Sequence, residues 1–211
     1  MPSVVTLKSP GERLAKPLQP GSVLQMNSSL CPAFRGVTLL SAESEVEMTE
    51  AMGHGVNQRK AIRMTPEEIE AFLAASRTMT MCSLAPDGSI HAVAMWYGFL
   101  DGCVTVETKA KSQKVQNLRR DPRLTLLIED GEAYEELRGV ELVGQAEVID
   151  DPAQLWKLGI SVFERYYGPY NEELAPAVEA MLHKRVAVKM HATRTVSWDH
   201  RKLGLPPTRP Q

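Results

Sequence analysis

The chain is poor in cysteine, histidine, aromatic residues and long apolar runs. Cys31, Cys82 and Cys103 form an odd set without C-x-x-C spacing. That excludes a disulfide scaffold and the common zinc-ribbon spacings, and fits reduced thiols. No apolar run approaches the roughly 18 residues of a membrane span, and no charged start followed by a short apolar core marks a secretory signal. The expected compartment is therefore the cytoplasm. A formal net charge of -2 argues against a general nucleic-acid or membrane-surface binder, so neither partner is expected. The five histidines (54, 91, 183, 191 and 200) are scattered, and none stands beside a serine or cysteine in a nucleophile-base pattern. Each reads as a surface histidine or a satisfied core histidine. Gly53-His-Gly55 lacks the third glycine of a dinucleotide fingerprint and follows no strand.

What is present is ordinary globular composition, 43% hydrophobic and 24% charged over 211 residues, enough for one domain and an appendage. Residues 1–60 carry prolines 2, 10, 17, 20 and 32 and no sustained period, and read as a loosely attached extension. Thr65-Pro-Glu-Glu68 is a capping box with proline at the first helical position, opening a helix to about Ser76. Pro86-Asp-Gly-Ser89 joins strands 78–84 and 90–99, and Asp101-Gly102 turns into a strand over 103–107. Strands at 123–129, 137–149, 186–190 and 194–198 follow, with helices after Asp151-Pro152 and over 173–183. The domain reads as residues 61–200, and 201–211 as a proline-rich tail. Six or seven strands joined mainly by hairpins, with few helices, indicate a mainly β fold with flanking helices, an antiparallel barrel.

Two stretches carry chemistry. Glu107–Arg123 holds six basic residues (Lys109, Lys111, Lys114, Arg119, Arg120, Arg123) against Glu107 and Asp121. It reads as strand, basic turn, helix 112–120 and stop at Asp121-Pro122. Ser112 occupies the N-cap position, where its hydroxyl and the first free N–H groups point into the same space. Cations placed before a helix start, where the dipole repels them, make an anion site, most simply for phosphate. Val93-Ala-Met-Trp-Tyr97 sets small residues beside aromatics, so a flat ring can lie against the strand.

Lys111-Ser-Gln-Lys114 with Asn117-Leu-Arg-Arg-Asp-Pro-Arg123, Leu137–Glu147, Met95–Phe99 and Ser197–Arg201 together resemble the pyridoxamine 5'-phosphate oxidase-like split-barrel superfamily. They are most similar to its branch of F420-dependent flavin/deazaflavin oxidoreductases. The resemblance implies a six-stranded antiparallel split β-barrel forming a homodimer, with the cofactor in a groove between subunits. It places a phosphate at Ser112 and Lys114 and an isoalloxazine-type ring on Val93, Ala94, Met95 and Trp96, while Lys109, Lys111, Gln113 and Asn117 complete the expected set. Gln113 stands where the oxidases usually carry arginine, and their C-terminal R-x-H substrate motif is not evident. Both departures favour coenzyme F420 over FMN, with hydride transfer to or from a small conjugated substrate. Tyr97 and His200 are the candidate proton donors. The alternatives are an FMN enzyme of the same fold and a non-catalytic holder of a cofactor, haem or another tetrapyrrole.

Overall fold

The computed structural model describes residues 58–206. The expected extension therefore lies outside the described residues up to position 57, as does the tail from 207. In chain order the elements are α1 (Gln58–Ala61), α2 (Pro66–Ala75), β1 (Met79–Leu84), β2 (Ile90–Met95), β3 (Gly98–Leu100), β4 (Cys103–Lys109), α3 (Gln113–Arg120) and β5 (Arg123–Asp130). These are followed by β6 (Arg138–Ile149), α4 (Pro152–Tyr167), α5 (Ala175–Leu182) and β7 (Arg185–Asp199), with short 3-10 turns at Tyr134–Glu136, Glu172–Leu174 and His200–Leu203.

Local chemistry sets the element boundaries. The Thr65 hydroxyl accepts from the Glu68 N–H while the Glu68 carboxylate accepts from the Thr65 N–H, which closes the capping box. Asp87 accepts from both the N–H and the hydroxyl of Ser89 and fixes the first hairpin. Asp101 and Gly102 both have positive φ, 50° and 77°, the backbone that a two-residue hairpin of matching twist requires. Asp151 caps α4 through the N–H groups of Ala153 and Gln154.

The strands form one antiparallel sheet in the order β2-β1-β5-β6-β7-β4-β3. Its outermost strands, β2 and β3, are joined by only Trp96 and Tyr97, so the sheet must curl until its edges meet there. The result is a half-barrel of seven strands rather than the six of the expected split barrel, and two strand boundaries differ from those read in the sequence. The single run expected over 90–99 breaks at Trp96-Tyr97, where the backbone bonds elsewhere: the Tyr97 N–H donates to the Tyr166 hydroxyl at 3.0 Å, and that hydroxyl also reaches the Tyr97 carbonyl at 3.1 Å. The two short final strands fuse into the 15-residue β7 across a register shift at Val143/Gly144, which leaves Thr193 unpaired. A Cβ at Gly144 would meet the His191 carbonyl oxygen at 2.0 Å, so glycine alone fits that close approach.

The concave face is filled by Met81, Val106, Leu126, Ile128, Val140, Leu142 and Val188, closed by Ile69, Phe72 and Leu73 of α2 and by Val115 and Leu118 of α3. A smaller cluster of Leu100, Ile149, Leu158, Val162 and Ala187 lies under α4. β3 pairs with β4 only over residues 103–105. Beyond that the opening between β4 and the β1–β2 hairpin is occupied by α3, which carries the basic stretch. Cys82 is a free thiol, as expected.

Candidate functional site

Two interactions fix α3 at the mouth of the half-barrel. The Asn117 amide is fully buried; its Nδ2 donates to Ser83 Oγ on β1 at 3.3 Å, and its Oδ1 accepts from Gln113 Nε2 at 2.8 Å. Arg120 donates to the Leu84 carbonyl. The turn before α3 is tied to the start of β7, with the Ala110 N–H on the Lys184 carbonyl at 3.0 Å and Lys109 Nζ on the His183 carbonyl at 2.9 Å. The helix start is thus held between β1 and β7.

At that start the donors are left over. Ser112 takes the N-cap backbone geometry, but its hydroxyl caps nothing; Oγ is shielded from solvent and has no partner. The N–H groups of Gln113 and Lys114 have no acceptor among the described residues. Lys114 is half-buried with no carboxylate partner among those residues. Burial first, and then the like charge of Arg185, pull its pKa below the ordinary lysine value. Arg185 lies 3.1 Å from the buried Glu107 carboxylate, an ion pair without hydrogen-bond alignment. Burial pushes the Glu107 carboxyl up, against the pull of Arg185 and Lys109. Exposed Lys111 completes the cluster. Lys114, under the like charge of the Glu107-paired Arg185, with an unpartnered hydroxyl and two backbone amides without acceptors among the described residues, makes a donor set open to an anion. These donors fit a phosphate group.

Arg185 was absent from the sequence expectation. It follows the basic stretch by more than sixty residues, and only the β4–β7 pairing, Lys109 opposite Arg185, brings it there. Asn117 and Gln113 were expected as cofactor contacts; instead their amides hold each other and Ser83. Lys109 is likewise committed to a carbonyl. Ser112, Lys111 and Lys114 keep free groups.

The expected ring platform is divided. Side chains of β2 alternate, so Val93 and Met95 pack toward the core while Ala92 and Ala94 stand on the exposed face. Trp96 is 48% exposed and stacks on Tyr166 of α4, centroids 4.2 Å apart and planes 3° from parallel. One face of the indole is therefore covered and the strand offers a small-residue edge beside it.

Neither candidate proton donor stands in this groove. Tyr97 is fully buried, its hydroxyl donating to the Leu73 carbonyl at 2.7 Å. Its ring lies under the Arg165 guanidinium, 4.5 Å away, and burial pushes its pKa up to about 12. Arg165 also donates to the Leu73, Ala74 and Ser76 carbonyls at the end of α2, so this pair is a structural clamp. His200 follows the far end of β7, separated from Arg185 by on the order of 40 Å of strand; its Nδ1 pairs with the Tyr134 carbonyl at 2.8 Å. Within one chain it cannot serve a ligand at α3.

A curled antiparallel half-barrel with an anion-ready helix start in its opening defines the split-barrel class of cofactor-binding proteins. Residues 65–199 match the pyridoxamine 5'-phosphate oxidase family, and the chain belongs to that family. Among solved structures, a conserved hypothetical protein of Mycobacterium tuberculosis, Rv2991, is 51% identical. The match covers 74% of this chain and 98% of that one, with a TM-score of 0.71. HutZ, the heme storage protein of Vibrio cholerae, is 15% identical over 64% of this chain and 96% of its own, TM-score 0.51, a likeness of fold alone. A protein named F420 reductase is 26% identical over 62% of this chain and 98% of its own, TM-score 0.48. A search of curated proteins found no match.

Proposed function

We propose that this protein is an oxidoreductase that grips a phosphorylated deazaflavin of the F420 type at the start of α3 and passes a hydride to or from a small conjugated substrate. The observation that carries the reading is the cluster of Ser112, Lys114 and Arg185, with an unpartnered buried hydroxyl and a half-buried lysine that has only a like-charged neighbour. Bound there, a deazaflavin supplies two-electron hydride chemistry. The chain's residues have a narrower task. Ser112 Oγ and the amides of Gln113 and Lys114 bind the phosphate, Lys114 and Arg185 neutralise it, and the Asn117–Ser83 contact holds α3 so that the cradle keeps its shape. Lys111, exposed beside the cradle, favours a longer acidic tail over FMN, as does glutamine rather than arginine at position 113. No proton donor is assigned, because Tyr97 is sealed in the core and His200 lies at the other end of β7.

The groove along β2 is an open strand edge in one chain, so a second copy completing it is part of the reading. Light scattering should find a homodimer, twice the 23.4 kDa chain mass; a monomer that still holds cofactor would contradict the shared groove. Titration of F420 and of FMN, followed by absorbance and fluorescence, tests the function. Tighter F420 binding is the expected result. Tighter FMN binding with turnover would make it a flavin enzyme of the same fold. Binding of neither, with uptake of haem or another tetrapyrrole instead, would replace catalysis by storage.

A further inference from the structure

His91 has no place in the mechanism so far, and its surroundings give it one. It lies on the inward-facing side of β2 with Val93 and Met95, both packed against the core. Its Nδ1 is shielded from solvent and has no hydrogen-bond partner. In the β1–β2 ladder His91 stands directly opposite Ser83, so the two side chains emerge on the same face about 5 Å apart at Cβ. Ser83 Oγ accepts from Asn117, and Asn117 accepts from Gln113, the residue following Ser112. A strut of three side chains therefore runs from His91 to the anion cradle. At each end of it stands a buried polar atom without a partner, His91 Nδ1 and Ser112 Oγ. Buried polar groups in folded proteins are nearly always paired, and one ligand spanning the strut would pair both. One strand pairing, one side-chain hydrogen bond and one helical turn separate the two ends, on the order of 10 Å.

We infer that His91 is a second polar contact for the ligand, bonding through Nδ1 to an oxygen or ring nitrogen beyond the phosphate group. The inference rests on the reading of α3 as a cofactor phosphate site and adds the residue that recognises the rest of the molecule. His91 is then a determinant of which phosphorylated ring compound is kept, whereas the cradle at α3 accepts any accessible phosphate.

The test uses the full chain and three probes, F420, FMN and riboflavin, the last lacking a phosphate. His91→Phe keeps a planar aromatic ring, slightly larger, and removes both nitrogens. His91→Asn places an amide near the Nδ1 position, and His91→Gln places one near Nε2. Expected is a loss of affinity of about tenfold for all three probes in His91→Phe, with most of it restored by Asn and not by Gln. Lys114→Ala should weaken F420 and FMN while leaving riboflavin unchanged. The 15N signal of His91 Nδ1 in the wild-type protein should shift when FMN is added, a readout independent of whether any variant folds. Unchanged affinity in His91→Phe, or an unmoved Nδ1 signal with FMN bound, would make His91 a packing residue and leave the phosphate reading intact. Failure of the wild-type protein to bind any of the three probes would overturn both.

Discussion

Asn117 ties the anion cradle to the barrel, and its removal separates positioning from contact. Asn117→Ala deletes a fully buried amide that bonds Ser83 Oγ at 3.3 Å and Gln113 Nε2 at 2.8 Å. Gln113 is exposed enough to turn to water; Ser83, 3% exposed, is not. Losing one buried hydrogen bond costs about 1 kcal/mol, and the small void adds a comparable amount, giving about 2–3 kcal/mol in all. For an ordered unit of this size that corresponds to a fall of roughly 5–10 °C in Tm. Ser83→Ala alone should cost about 1 kcal/mol. In the double variant the two losses should fall short of their sum by about 1 kcal/mol, since the shared bond is removed only once. Cofactor affinity should drop in Asn117→Ala although Asn117 never touches the anion, because α3 is no longer pinned. Thermal and urea unfolding of the four proteins gives the coupling directly. Additivity within about 0.3 kcal/mol, or an unchanged Tm in Asn117→Ala, would refute the strut.

Two further outcomes follow from the same geometry. Tyr97 has its pKa raised by burial from 10.0 to about 12, so the folded state holds its proton more tightly than the unfolded chain. The linked stability, about 3 kcal/mol, is fully present below pH 10 and lost as pH rises through about 12. Urea midpoints measured from pH 9 to 12 should fall more steeply in wild type than in Tyr97→Phe. At neutral pH that variant should cost only about 1 kcal/mol, because Arg165 still donates to the Leu73 carbonyl. A chain beginning at Asn57 should fold, since residues 62–64 supply the attachments: the Asp199 N–H on the Ile62 carbonyl at 2.7 Å, Lys202 on the Arg63 carbonyl at 2.7 Å, and the Met64 N–H on Ser197 Oγ at 3.1 Å. A chain beginning at Thr65 loses these and buried Met64, and should have a clearly lower Tm; equal melting of the two would contradict this.

What could be read from the sequence was local. The capping box at Thr65, the Asp87 and Asp101-Gly102 turns, the stop at Asp121-Pro122 and the basic helix start all stand as expected, because each rests on residues within one turn of one another. What escaped is held by distant partners. Nothing near Trp96 announces a strand break; Tyr166, 69 residues on from Tyr97, makes it. Nothing in Val186–Trp198 announces one bulged strand, since the bulge is defined by its pairing with β6. The site divides in the same way. Ser112 and Lys114 were visible in their motif, but Arg185 joins them only through the β4–β7 register. The conversion of Asn117 from expected ligand contact to buried strut depends on Ser83, 34 residues earlier. Tyr97, expected as a proton donor, is held in the core by Arg165 and the end of α2, partners that lie far from it in the chain.

The central claim is that the start of α3 binds a cofactor phosphate, and Lys114→Ala compared with Arg119→Ala tests it most directly. Lys114 contributes a charge-assisted bond of about 1.5–3 kcal/mol, so its removal should weaken F420 binding by about 10- to 150-fold. The empty protein should lose no stability, because burial and Arg185 already disfavour that ammonium in the folded state. Arg119, exposed in the last turn of the same helix, should change affinity little, and the difference between the two should persist at raised salt. Fluorescence titration of F420 into the three proteins gives the answer. A loss confined to Lys114→Ala is the predicted result; equal losses in both variants would reduce the basic stretch to a solvated helix face and contradict the account.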